Sequence, residues 1–98
     1  MEIHYRTHRL QRICEDAGTA IKAYGEEMAL RIHMRIDQIS SAESVEQLVR
    51  YRIGRCHPLT GNRKGQYAMD LVHPYRLILA KIDDSSVKIR IEEVTDYH

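Results

Sequence analysis

The spacing of apolar residues changes period about halfway along this chain, and that change restricts the fold more than any other feature. Ile21, Tyr24, Met28, Ile32, Ile36 and Ile39 step by three or four, the repeat of one helix face. Beyond residue 66 the step drops to two. Tyr67, Met69 and Leu71 alternate with Ala68, Asp70 and Val72, and Val87, Ile89 and Ile91 alternate with Lys88, Arg90 and Glu92. Such alternation sends successive side chains to opposite faces of a sheet. Helices first and strands afterwards predict an α+β fold, a helical pair followed by an antiparallel β-meander.

Local signals set the expected boundaries. Ile3 and Tyr5 alternate with His4 and Arg6, which suits a short strand over residues 2–6. Thr7 is placed to cap a helix from His8, with Leu10 and Ile13 inward and a stop at Asp16-Ala17-Gly18. The long periodic run predicts one helix from about Thr19 to Ile39. Lys22, Glu26, Glu27, Arg31, Arg35 and Asp37 form its solvated face, and Met28 and Met34 belong to the core. Ser44 with Gln47 reads as a capping box for a short helix to about Val49. Glycines and Pro58 make 51–66 a loop, with one strand piece around 52–57. His73-Pro74 and Asp83–Ser86 are turns between strands, with Tyr75–Ile82 between them. Val94 fits the last strand only loosely.

Composition narrows the class. Ninety-eight residues, 43% hydrophobic and 30% charged, suit one soluble domain spanning 1–98 rather than a disordered or fibrous chain. The longest clear apolar run, Leu77–Ala80, is far short of the ~18 residues of a membrane span. Met1–Arg6 holds no apolar signal region, so a cytoplasmic protein is expected. Cys14 and Cys56 form no CxxC pair, are too few for a disulfide scaffold and read as reduced thiols, Cys14 in the core. Net charge is only +1, yet it is unevenly spread: Arg50, Arg52, Arg55, Arg63, Lys64 and Arg76 face the single carboxylate Asp70 over residues 50–76, and the last 22 residues are acidic.

The residues that could carry chemistry lie in that basic stretch and at the chain end. Gly61-Asn62-Arg63-Lys64-Gly65 sets two cations between glycines, where backbone N–H groups and charges can meet a phosphate. The spacing is not that of a Walker A loop. Arg76 sits inside a strand, either paired with Asp70 or Glu92 or aimed into a concave site. Tyr51, Tyr67 and Tyr75 interleave with the cations, which suits single-stranded bases. RNA cleavage by its own 2′-hydroxyl needs a base, an acid and cations; histidine as a residue type titrates near neutrality, so His57 or His98 could serve. His4 and His8 lack a third metal ligand nearby, and no metal or cofactor is expected.

Three stretches together resemble a known family: Arg55-Cys56-His57-Pro58-Leu59-Thr60-Gly61-Asn62-Arg63-Lys64-Gly65-Gln66-Tyr67; Asp70-Leu71 with His73-Pro74-Tyr75-Arg76-Leu77; and Glu93-Val94-Thr95-Asp96-Tyr97-His98. They are similar to the HigB-like (plasmid maintenance killer protein) branch of the RelE/ParE toxin superfamily. The resemblance implies the toxin of a type II toxin–antitoxin pair, a ribosome-dependent endoribonuclease cutting mRNA in the 30S A site by metal-free acid–base chemistry. It implies His98, Arg76, Lys64 and Tyr97 as catalytic residues. Arg63, Arg55, His57, Tyr67 and Tyr75 would bind RNA. The implied partner is a helix-turn-helix, HigA-like antitoxin, through which alone operator DNA is contacted. The ParE branch of the same fold instead inhibits DNA gyrase without nuclease chemistry. An inactive relative would bind only its antitoxin.

Overall fold

The computed structural model describes residues 1–96; Tyr97 and His98 lie outside the described residues. Thr7 caps the first helix as expected, its hydroxyl accepting from the Leu10 N–H at 3.1 Å. Strand β1 is Glu2–Tyr5 and helix α1 is His8–Glu15, with Leu10, Ile13 and Cys14 buried. Asp16 ends α1 and also starts α2 (Ala17–Tyr24): its carboxylate accepts from the Thr19 N–H at 2.8 Å and the Thr19 hydroxyl at 2.6 Å.

The single long helix expected over residues 19–39 is two helices. Gly25, at φ 88°, closes α2 by donating to Ile21 and opens α3 (Glu26–Ser41) by accepting from Ala29. That backbone geometry suits glycine alone. The break changes which residues face inward. Met28, Ile32 and Ile39 are buried, but Ile21 is exposed, and so is Met34, which the periodicity assigned to the core. Arg35, assigned to the solvated face, is 8% exposed. Its Nε donates to the Asp70 carbonyl at 2.7 Å and its Nη1 to the Gln38 side chain at 3.0 Å.

Ser44 caps α4 (Val45–Arg50) through the Gln47 N–H. Gln47 returns its own side-chain bond to the Glu43 N–H rather than to the cap residue. The strand piece expected at 52–57 is a 3₁₀ turn over Ile53–Arg55 followed by the two-residue strand β2 (His57–Pro58). Arg52, Gly54 and Arg55 all have positive φ, which no strand accommodates. A second 3₁₀ turn (Gly61–Arg63) leads to β3 (Gln66–Asp70), β4 (Tyr75–Lys81) and β5 (Lys88–Asp96).

The five strands form one sheet in the order β1-β5-β4-β3-β2. The β2–β5 neighbours are antiparallel, as a meander requires, but β1 lies parallel to β5, so the sheet is mixed. Leu77, Leu79, Ile89 and Ile91 on one face are fully buried with Ile32, Ile39, Val45 and Leu48 from the helices. Burial of each such side chain contributes about 1.5–3 kcal/mol. The pairing shifts register between Ile78 and Leu79: Ile78 faces Glu93 and Leu79 faces Ile91, leaving Glu92 as a bulge. The extra residue turns Val94 onto the core face, which is why strict alternation fits it poorly.

Gly54 is wedged against Arg35. A Cβ there, at φ 58°, would lie 2.5 Å from the Arg35 Nε. Gly54→Ala is expected to cost roughly 2–3 kcal/mol, read as a lowered urea midpoint with unchanged slope.

Candidate functional site

The residues on the second face of the sheet follow from the register. Asp70 faces Arg76, which faces Thr95, and His57 faces Ala68. Where this face meets the end of α4 and the first 3₁₀ turn lies an open cleft of about 630 Å³, lined by Arg50, Arg52, Arg55, His57 and Arg76 with Val49 and Cys56. A smaller hollow of about 190 Å³ adjoins it, sharing Arg55 and Arg76 and adding Asp70, His73 and Tyr75. Four guanidinium groups at one cleft create a strongly positive potential there.

The groups in the cleft are held. The Asp70 carboxylate lies 3.4 Å from Arg55 Nη1 and 3.8 Å from Arg76 Nε. Of the two roles open to Arg76, both apply: it pairs with Asp70 and lines the cleft. His57 Nδ1 is 2.9 Å from the Arg55 carbonyl oxygen. A carbonyl only accepts, so Nδ1 carries the proton and the neutral ring keeps its lone pair on Nε2. The Cys56 thiol is on the cleft wall but buried, and burial pushes its pKa up to about 12.

Of the other described residues singled out in the sequence, Tyr75 touches the cluster by lining the smaller hollow, and Arg63, Lys64 and Tyr67 line neither cavity. Lys64 and Tyr67 line a separate hollow of about 610 Å³ with Lys81 and Asp84. There the Lys81 ammonium sits 5.9 Å from the Tyr67 ring centre and is paired with Glu46. Lys81 first, and Ser86 next, hold the Glu46 carboxyl down at about 2. Arg63 reaches Glu93 at 2.8 Å and Gln66 at 3.2 Å. Tyr67 and Tyr75 both pack toward the core, on the face opposite Arg76; Tyr75 meets Tyr24 edge-on at 5.8 Å. Tyr97 and His98 fall outside the described residues. Sequence reading placed Arg50 and Arg52 only in the basic stretch and gave Asp70 no place in a site. The six-to-one charge imbalance was the signal for the arginines. For His4, the structure shows a bond to Glu2 at 2.6 Å.

No protein-family model matches the chain, and no curated protein matches it. Solved structures do. A heterotetrameric YoeB-YefM toxin–antitoxin complex from Staphylococcus aureus matches with a TM-score of 0.65 at 19% identity, covering 100% of this chain and 97% of that one. A YoeB dimer from the same organism gives 0.64 at 19% identity, with 100% and 97% covered. A YoeB/ParE toxin from Agrobacterium tumefaciens gives 0.64 at 12% identity, with both chains covered completely.

Cys14 and Cys56 are both buried, and burial pushes both thiols up to about 12. At pH 8 an anionic aromatic disulfide reagent is expected to leave the folded protein unmodified and to titrate both thiols after unfolding. Rapid labelling of the native protein would remove Cys56 from the buried cleft wall. Over its described residues, the chain has the α+β fold of the YoeB and YoeB/ParE toxins.

Proposed function

We propose that this protein is the toxin of a type II toxin–antitoxin pair and cleaves mRNA at the ribosomal A site. The carrying observation is the cleft in which Arg50, Arg52, Arg55 and Arg76 surround His57. On a fold shared with YoeB toxins, that arrangement supports phosphate binding beside a group able to move a proton. Arg55 and Arg76 neutralise the phosphate as its charge grows in the transition state. The Nε2 of His57 takes the proton from the 2′-hydroxyl, and His98, the residue implied by resemblance to HigB-like toxins, protonates the leaving oxygen. Attack gives a 2′,3′-cyclic phosphate and a free 5′-hydroxyl. Arg63 and Lys64 then contact flanking RNA rather than the scissile phosphate. The partner assigned is a helix-turn-helix antitoxin, and the site of action is the cytoplasm.

The test is 5′-end mapping of mRNA in a reconstituted translation system. Wild type is expected to give new ends at A-site codons. Arg76→Ala, His57→Ala and His98→Ala should each slow their appearance by about 10²-fold or more. Intact mRNA at saturating folded protein would sink the nuclease and favour the gyrase inhibitor or the inactive antitoxin-binding relative. Unchanged cleavage by His57→Ala alone would return the base role to another group.

Salt dependence checks how many cations meet the strand. All six cations of residues 50–76 on phosphates would give a log–log slope of about −4 for single-stranded RNA, whereas the four that line the cleft give about −3. A flat response, measured with an uncleavable oligonucleotide, would exclude the cleft as the RNA contact.

A further inference from the structure

The small hollow beside the cleft contains a carboxylate where an anion site would be expected to have none. Asp70 sits between Arg55 and Arg76, at 3.4 Å and 3.8 Å, and lines the hollow that both share. It is the one acidic residue lining either cavity among the described residues. Its place is not adjustable. The Asp70 backbone carbonyl accepts from the buried Arg35, which is itself tied to Gln38, and the residue lies at the end of β3 opposite Arg76. The backbone that carries the carboxylate is therefore fixed opposite Arg76 by the core of the protein, and the two guanidiniums hold the carboxylate itself.

We propose that Asp70 is a built-in counter-anion that matches this site to one phosphodiester and disfavours a phosphate monoester. In the smaller hollow, which Arg50 and Arg52 do not line, the Arg55 and Arg76 charges with that of Asp70 leave one net positive charge. An internal phosphodiester carries one negative charge. A monoester, as at the end of a chain or on a free nucleotide, carries nearly two at neutral pH. The second charge meets the Asp70 carboxylate at close range, within a Debye length, and is repelled by it. Asp70 thus acts as a specificity-determining residue: it selects the interior of an RNA strand over ends and free nucleotides. This rests on the cleft being the phosphate site of the proposed function, but not on cleavage.

Two ligands and two variants test it. The ligands are a 2′-O-methylated adenine dinucleotide, one uncleavable diester, and adenosine 3′-monophosphate. Binding is followed by NMR titration of the arginine Nε–H signals of the full chain at pH 7.5 and low salt. Asp70→Asn keeps the shape and the backbone carbonyl. Asp83→Asn, in the turn after β4 at φ 52°, removes the same charge at a distance, and asparagine tolerates that φ.

Electrostatic energy scales with ligand charge, so the gain for a dianion is about the square of that for a monoanion. Asp70→Asn is expected to tighten the dinucleotide about threefold and the monophosphate about tenfold, both beyond the Asp83→Asn control. Equal gains for the two ligands, gains no larger than the control, or weaker binding of both would overturn the charge matching. Absence of either ligand from the Arg55 and Arg76 signals would overturn it as well, together with the phosphate site. Wild type that binds the dinucleotide yet cuts no mRNA sinks the nuclease alone. Cleavage together with equal gains sinks the charge matching alone.

Discussion

Arg35 carries a full charge into the interior from the middle of α3, and the surroundings of the cleft are arranged to receive it. Burial first, and the neighbouring Arg31 charge next, weaken its hold on the proton, but a guanidinium stays charged in any protein interior. A buried charge must therefore be satisfied by acceptors. The Asp70 carbonyl and the Gln38 side chain supply them, and Gly54, lacking a Cβ, leaves the space. One side chain thus fixes a helix, the end of β3 and the turn that carries Arg55. The relative positions of Arg55, Asp70 and Arg76 follow from that junction.

The sheet then divides labour by face. Leu77, Leu79, Ile89 and Ile91 go to the helices, while Asp70 and Arg76 are forced to the opposite side by the two-residue period. The bulge at Glu92 keeps this division in β5, because it lets both Ile91 and Val94 reach the core. The buried Glu92 carboxylate is satisfied by Arg90 at 2.8 Å and approached by Arg6 at 3.7 Å. The bulge is therefore closed by charge pairing where ladder pairing is interrupted.

Most elements were legible because their signals are local. Thr7 and Ser44 cap helices by reaching only three residues ahead, and the meander follows from alternation and turns. What failed depended on contacts remote in sequence. Arg35 reads as a surface cation until its partner 35 residues away is known. The parallel pairing of β1 with β5 joins the two ends of the chain, and no local pattern encodes it. Gly25 was visible, yet helical periodicity on both sides hid the break. The site was half legible. Charge density identified the basic stretch and Arg55, His57 and Arg76 converge, but the same density said nothing of face. Tyr67 and Tyr75 therefore joined the cations in sequence while packing toward the core in space.

Net charge of +1 looks unsuited to the polyanion that the proposed function calls for, and the arrangement of the acids resolves this. Glu92 and Glu93 in the acidic last strand are engaged by Arg6, Arg90 and Arg63. Glu46 is engaged by Lys81, and Glu26 and Glu27 sit in the first turn of α3, where the helix dipole favours them. These carboxylates leave the cleft to its arginines, with Asp70 as the exception. Beyond a Debye length of about 8 Å the two signs cancel, while within the cleft they do not. Such a molecule gains little from long-range attraction to nucleic acid. Under the proposed function, affinity for RNA then has to come from contacts made inside the cleft, which favours recognition of a strand already presented to it over binding along any RNA it meets.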